Sequence, residues 1–233
     1  MGKLESKTVI ISGAARGIGT SVAILFAEHG ANVVLVDIDE CYETSRRLAE
    51  KNARFIDIPT DVSDIKAVQK MVREVMDKIG AVDILVNNAG VISRTSFTEL
   101  TNEEWRRVLD VNLGDTYNCC KCVVPVMIEN GGGKIVNVSS VAGKVGDITA
   151  SPAYGTSKGA INTFTKSLAR QLAPFGIYVN AVAPHAIETD MSKQCNERLL
   201  RTKGFQRIRN SGRSLEHDCG RMPHKREETD SRA

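Results

Sequence analysis

The 233-residue sequence lacks any hydrophobic run close to the roughly 20 residues that a membrane-spanning helix needs. Its first residues are polar and lead directly into an apolar segment at Thr8, which is not the pattern of a secretory signal. We therefore expect a cytoplasmic protein that has no membrane partner.

The sequence lacks a cysteine spacing typical of a zinc site, although it contains six cysteines. Without an export signal, we expect their thiols to be reduced. Cys119, Cys120 and Cys122 have no histidine or carboxylate at a zinc-finger spacing, and residues 217–219 with His224 are only slightly closer to a ligand set. The sequence therefore predicts no metal site.

The chain also lacks a basic surface pattern outside its last residues. Residues 197–233 carry ten Lys and Arg against six Asp and Glu, whereas the rest of the chain carries 21 against 22. The positive net charge of +3 therefore arises from residues 197–233, since the rest of the chain is nearly neutral. We predict no nucleic-acid partner and keep binding through the basic segment as a minor alternative, because such segments are commonly solvated charge.

What the sequence does contain is a regular alternation of apolar strand-like segments and amphipathic helix-like segments. The predicted strands are 8–12, 32–37, 54–58, 82–86, 134–138 and 177–182, and the predicted helices are 18–28, 39–51, 64–79, 101–128 and 153–172. Nearly continuous apolar strands that alternate with helices favour a parallel sheet covered on both faces. The prediction is an α/β fold with a doubly wound parallel β-sheet, a Rossmann-type three-layer α/β/α single domain over residues 1–195.

A glycine-rich loop follows the first predicted strand. Gly13, Gly17 and Gly19 form the pattern G-x-x-x-G-x-G directly before an amphipathic helix. Glycines permit a tight turn, and backbone N–H groups at a helix N-terminus bind phosphate well. A plain strand-to-helix turn is the alternative, but this placement favours a dinucleotide site.

Two charged residues near this loop bear on the choice of cofactor. Asp37 ends the second predicted strand, where a carboxylate accepts hydrogen bonds from an adenosine ribose and repels a 2′-phosphate. Arg16 in the glycine loop acts in the opposite direction, since a guanidinium is a good phosphate partner. We give Asp37 the greater weight and predict NAD, with NADP less favoured.

Residues suited to proton transfer follow two later strands. Tyr154 and Lys158 lie four apart and share one helical face, and a nearby ammonium lowers the pKa of a phenol. Such a tyrosine exchanges a proton with an alcohol or carbonyl oxygen, to which Ser140 can also hydrogen-bond. A Tyr–Lys pair alone is also consistent with a solvated helix face.

In this order and spacing, the elements resemble the classical short-chain dehydrogenase/reductase family over about residues 5–195. The matching stretches are 12–19, 61–62, 87–90, 112, 139–140, 154–158 and 180–189. The resemblance implies that Tyr154 is the general acid/base, that Lys158 lowers its pKa and holds the nicotinamide ribose, that Ser140 orients the substrate oxygen, and that Asn112 anchors a proton-relay water. The cofactor-binding residues implied by the loops and the resemblance are Gly13, Arg16, Gly17, Ile18, Gly19, Asp37, Asp61, Val62, Asn88, Ala89, Gly90, Tyr154, Lys158, Pro184, Ile187 and Thr189.

The sequence departs from the family pattern at several points. Ser12 replaces the usual threonine, the interval from Ser140 to Tyr154 is one residue longer, and His185 stands where the family has glycine. Residues 196–233 do not continue the pattern, and we expect an atypical, poorly ordered basic tail that arises naturally or from a change of reading frame. The homotetramer typical of the family is therefore doubtful.

These observations lead to one main hypothesis and one alternative. The main one is an NAD-dependent hydride transfer between a secondary alcohol and a ketone, with Tyr154 moving the proton. The alternative is a protein that binds the dinucleotide but is catalytically impaired because its substrate pocket is incomplete. The identity of the alcohol or ketone is left open by the sequence.

Overall fold

Six parallel strands form one sheet in the computed structural model, which describes residues 2–147, 149–185, 187 and 189. The strands are β1 (Thr8–Ser12), β2 (Asn32–Val36), β3 (Phe55–Asp57), β4 (Ile84–Asn87), β5 (Gly133–Val138) and β6 (Ile177–Val182). Their order across the sheet is β3-β2-β1-β4-β5-β6. The chain therefore builds one half of the sheet outward from β1 and then returns to build the other half.

In the described part of the chain, seven α-helices connect or follow these strands. They are α1 (Gly17–Glu28), α2 (Tyr42–Glu50), α3 (Ile65–Lys78), α4 (Asn102–Leu109), α5 (Asp115–Glu129), α6 (Ala142–Val145) and α7 (Pro152–Leu172). A π-helical turn, Asp110–Gly114, joins α4 to α5 without a break, and a short 3₁₀ turn, Ala173–Phe175, precedes β6. Thr101 begins α4, because its side chain accepts a hydrogen bond from the backbone N–H of Glu104 at 3.2 Å.

The strands bury side chains on both faces of the sheet. Ile10 of β1 belongs to an apolar cluster with residues of α3, α5 and α7, whereas its neighbours Val9 and Ile11 belong to a second cluster with residues of α1 and α2. This alternation follows from the two-residue period of a strand. The predicted doubly wound parallel sheet with a helical layer on each face is confirmed.

The differences from prediction lie at element ends and in one connection. Residues 101–128 form two α-helices around a π-helical turn rather than one helix, and α6 within residues 139–151 is a short helix that the sequence pattern did not predict. No helix in the described part of the chain is long and apolar enough to cross a membrane. The expectations for residues 196–233, including Cys219 and His224, lie outside the described residues.

Candidate active site

The loops that follow all six strands open onto one cleft, a cavity with a volume of about 500 Å³. The chain adds β2 and β3 on one side of β1 and then crosses to β4 on the other side. In an open parallel sheet, ligands bind in the crevice at this reversal of strand order. The cleft therefore lies where the fold predicts a ligand site.

The structure brings sixteen of the residues predicted from sequence to the surface of this cleft. They are Gly13, Arg16, Gly17, Ile18, Asp37, Asp61, Val62, Asn88, Ala89, Gly90, Ser140, Tyr154, Lys158, Pro184, Ile187 and Thr189. Two predicted residues, Gly19 and Asn112, do not line the cleft and lie behind it. The glycine loop and the Ser–Tyr–Lys group therefore share one cavity.

The glycines of the loop after β1 serve two different purposes. Gly13 and Gly17 have positive φ angles of 67° and 61°, which suit glycine. A Cβ at Gly13 would lie 2.8 Å from the side-chain nitrogen of Asn88, and a Cβ at Gly19 would overlap the carbonyl oxygen of Gly13. Gly19 therefore permits close packing of α1 against the loop, whereas Gly17 faces the cleft, where a Cβ would lie 3.5 Å from the Thr189 side chain.

Among the described residues, Arg16 occupies the N-cap position of α1. Its side chain makes no capping hydrogen bond, and no acidic residue lies in the first turn of the helix. The first N–H groups of a helix need acceptors, and the positive end of the helix dipole favours an anion. This end of the cleft therefore suits a phosphate group.

Ser12 and Asn88 hold the glycine loop against the loop after β4. The Ser12 hydroxyl accepts hydrogen bonds from the backbone N–H groups of Asn88 (3.0 Å) and Ala89 (3.1 Å). The Asn88 amide donates in turn to the carbonyl oxygens of Ser12 (3.1 Å) and Gly13 (3.0 Å). The replacement of threonine by serine at position 12 therefore keeps the hydroxyl that these contacts need.

Asp37 is fixed at the rim of the cleft by the glycine loop. One carboxylate oxygen accepts a hydrogen bond from the backbone N–H of Ala15 at 3.0 Å, and the other accepts one from that of Asp39 at 3.2 Å. Arg16 forms an exposed ion pair with Asp39, with a nitrogen–oxygen distance of 3.6 Å. The two charges that bear on cofactor choice are thus neighbours, and part of the charge of Arg16 is compensated by Asp39.

Tyr154 and Lys158 lie one turn apart on α7 and face the same cavity. The Lys158 ammonium is 6.0 Å from the centroid of the Tyr154 ring and donates a hydrogen bond to the carbonyl oxygen of Val138 at 2.8 Å. Ser140 follows β5 on the same rim, and its hydroxyl accepts a hydrogen bond from the backbone N–H of Ala142 at 3.1 Å. This brings a phenol, a hydroxyl and an ammonium together at one end of the cleft.

Burial dominates the electrostatics of this group. It lowers the pKa of Lys158 to about 8, against an opposing contribution from Asp115. It raises the pKa of Tyr154, while hydrogen bonding with Ser140 and the charge of Arg94 lower that pKa. The Lys158 ammonium bonds to the carbonyl oxygen of Val138 rather than to the phenol, and the lowering of the Tyr154 pKa by Lys158 stays a prediction.

Asn112 is a fully buried residue that joins two walls of the cleft. Its side chain accepts a hydrogen bond from the backbone N–H of Val91 (2.7 Å) and donates to the carbonyl oxygen of Val91 (3.0 Å) and to the hydroxyl of Ser157 (2.9 Å). Ser157 donates to the carbonyl oxygen of Tyr154 at 2.7 Å. In this structure Asn112 therefore positions the loop after β4 against the helix that carries Tyr154.

The cleft also contains residues that the sequence analysis missed. Arg94 connects two loops, since its guanidinium donates to the backbone and side-chain oxygens of Thr149 at 3.0 and 3.3 Å. Asp147 lines the cleft near Tyr154, and its charge raises the pKa of that phenol. Asp115 is buried, and a spacing of four residues puts it on the same helix face as the buried Cys119. A charged residue on such a face is a signal that could have been noticed in the sequence.

Comparison with known proteins gives a consistent result. The family model described as short chain dehydrogenase matches residues 7–200. The chain is 42% identical over 197 residues to oxidoreductase UcpA of Salmonella typhimurium, with 83% of this chain and 74% of that protein covered. It is 37% identical over 199 residues to the 3-oxoacyl-[acyl-carrier-protein] reductase FabG of Chlamydia muridarum, with 84% and 80% covered. The crystal structure of gox2181 superimposes with a TM-score of 0.81 at 33% identity, with 84% of this chain and 77% of that chain covered.

Proposed function

This chain belongs to the short-chain dehydrogenase/reductase family, and we propose that it is an NAD-dependent oxidoreductase that interconverts a secondary alcohol and a ketone. One observation carries the proposal. A single cavity runs from the glycine loop and the N-terminus of α1, which the Arg16 side chain does not cap, to the group formed by Ser140, Tyr154 and Lys158. The helix N-terminus at the first end can bind the phosphates of a dinucleotide. The group at the second end can exchange a proton with a substrate oxygen.

The residues of the cleft fit a dinucleotide. The first N–H groups of α1, which the Arg16 side chain does not cap, would bind the pyrophosphate, and the lack of a side chain at Gly17 would let it approach the backbone. The Asp37 carboxylate would accept hydrogen bonds from the adenosine ribose. When bound, the nicotinamide ring supplies or accepts the hydride.

The charges at the rim support NAD over NADP. Asp37 would repel a phosphate on the ribose, and its carboxylate is held in place by the backbone N–H of Ala15. Arg16, the cation that would favour NADP, is paired with Asp39 and largely exposed. A contact between the exposed Arg16 side chain and a phosphate would be weakened by water, whereas Asp37 is held in place at the rim, so we give the repulsion by Asp37 the greater weight.

Side chains of the cleft would carry out the proton transfer. Tyr154 would donate a proton to the carbonyl oxygen during reduction and accept it from the alcohol during oxidation. The Ser140 hydroxyl would hold the same oxygen, and Lys158 would supply positive charge beside the phenol when its pKa of about 8 keeps it protonated. Asn112 would hold α7, the helix that carries Tyr154, in position against the loop after β4.

A two-part experiment tests this function. We expect NADH to bind with a change in its fluorescence, and NAD-linked absorbance to report turnover over a panel of secondary alcohols and ketones. The panel should include a 3-oxoacyl thioester, because one relative is named for such a substrate. Binding without any turnover would favour the catalytically impaired alternative, and the absence of dinucleotide binding would refute the proposal.

A further inference from the structure

Asp115 is a buried carboxyl group in the cleft to which the proposed chemistry gives no role. It is only 4% exposed, and its Oδ1 atom has no hydrogen-bond partner among the described residues. Because α4, the π-helical turn and α5 follow without a break, no free N-terminal amides are available to it. A buried carboxylate oxygen without a hydrogen-bond donor is costly, so the position of Oδ1 calls for an explanation.

The helix that carries Asp115, α5, is held against the loop after β3. Asn118, less than one turn further along α5, donates hydrogen bonds to the carbonyl oxygens of Val62 (3.1 Å) and Ser63 (3.0 Å). These contacts hold the helix against the loop after β3, which carries Asp61. Asp115 and Asp61 line the same cavity, and the charge of Asp61 raises the pKa of Asp115.

Lys158, which lines the same cavity, also acts on Asp115. Its ammonium is held by the carbonyl oxygen of Val138, and its charge lowers the pKa of Asp115. Asp115 therefore interacts electrostatically both with the loop after β3, whose Asp61 the family resemblance implies as an adenine contact, and with the lysine implied to hold the nicotinamide ribose. The titratable groups that act on it are Asp61 and Lys158, which line the same cavity, and the Cys119 thiol on its own helix, whose raised pKa keeps that thiol neutral.

We propose that Asp115 is a further dinucleotide-binding residue, whose carboxylate accepts a hydrogen bond from an amino or hydroxyl donor of the adenosine half of the cofactor. A carboxylate repels the pyrophosphate but accepts hydrogen bonds from the adenine amino group or from a ribose hydroxyl. Such a donor would supply the hydrogen bond that the Oδ1 atom of Asp115 lacks among the described residues. This inference rests on the proposed function, because it assumes that the cleft binds a dinucleotide.

Binding should depend on pH in a defined direction. Burial and Asp61 raise the pKa of Asp115 to about 7 in the free protein. A hydrogen bond from the ligand stabilises the carboxylate, so a proton is released on binding and affinity rises as pH increases through about 7. Loss of charge at Lys158, with its pKa of about 8, weakens binding only at higher pH.

The test is a fluorescence titration of the full chain with NADH at about pH 6 and about pH 7.5, with ADP-ribose and nicotinamide mononucleotide as competing half-ligands. We expect wild-type affinity for NADH and ADP-ribose to rise several-fold between these pH values. Asp115→Asn should bind both about tenfold more weakly at the higher pH, the scale of one charge-assisted hydrogen bond, and should lose the pH dependence. Affinity for nicotinamide mononucleotide should stay unchanged.

Glu129→Gln, at the exposed far end of α5, is the matched control and should behave as wild type. If wild type binds NADH but Asp115→Asn binds it equally well at both pH values, the inference is wrong and the proposed function stands. If wild type binds neither NADH nor ADP-ribose, both are wrong. Should Asp115→Asn fail to fold, the pH dependence of NADH binding by wild type tests the inference. An affinity that does not change with pH would contradict a role for this carboxylate.

Discussion

Replacement of Asp115 by asparagine should stabilise the free protein, and the gain should depend on pH. The pKa of this carboxyl rises from an ordinary 3.8 to about 7 on folding, mainly because it is buried. A raised folded-state pKa means that the group favours folding only while protonated, and stability is lost as pH rises from about 4 through about 7. At about 1.4 kcal/mol for each tenfold change in proton affinity, the total loss is roughly 4 kcal/mol.

Asparagine keeps the shape of the side chain but cannot ionise. Urea unfolding of wild type and Asp115→Asn without cofactor should therefore show a stability difference that moves in favour of the variant by roughly 2–3 kcal/mol between about pH 5 and about pH 8. Glu129→Gln should show no such trend, since this residue is exposed. A difference between wild type and Asp115→Asn that stays constant with pH would show that Asp115 is ionised or solvated in the folded protein as in the unfolded one.

Three further predictions concern the cofactor end of the cleft. Gly19→Ala should abolish NADH binding and lower the melting temperature by several degrees, because the new Cβ overlaps the carbonyl oxygen of Gly13, whereas Gly114→Ala, with open space around it, should do neither. Ser12→Ala should lower the free energy of unfolding by about 1–3 kcal/mol through loss of an acceptor for two backbone N–H groups, and Ser12→Thr should restore it; equal stability of all three proteins in urea would contradict this. Asp37→Ala should bring the dissociation constants of NAD and NADP closer together in a fluorescence titration, and tighter binding of NADP by wild type would show that Arg16 dominates.

Strand positions were predictable because buried parallel strands have a simple apolar signature. The predicted bounds of β1 and β6 agree with the structure, and β2 differs by one residue at its end. The π-helical turn before α5 was not predictable, since residues 101–128 carry a nearly continuous helical pattern. Its position depends on the buried contacts of Asn112, which connect residues distant in sequence.

The candidate site was predictable where its chemistry is local. The glycine loop and the Tyr154–Lys158 pair are each defined by residues close together in sequence, and both line the cleft. The hydrogen-bond partner of the Lys158 ammonium was not predictable from residue spacing, because the carbonyl oxygen of Val138 belongs to a residue twenty positions away. Asp115 was missed for a related reason, since its burial depends on the packing of α5 against the loop after β3.

The measurement that tests the proposed reaction most directly is the turnover of Tyr154→Phe with a substrate found in the panel. Removal of the phenolic oxygen should lower kcat by about 10²–10⁴-fold, the usual contribution of a positioned acid/base group, and leave the dissociation constant of NADH nearly unchanged. Tyr178→Phe on the exposed face of β6 serves as the matched control and should keep full activity. A Tyr154→Phe protein that retains more than about a tenth of the wild-type kcat would contradict the assignment of Tyr154 as the general acid/base.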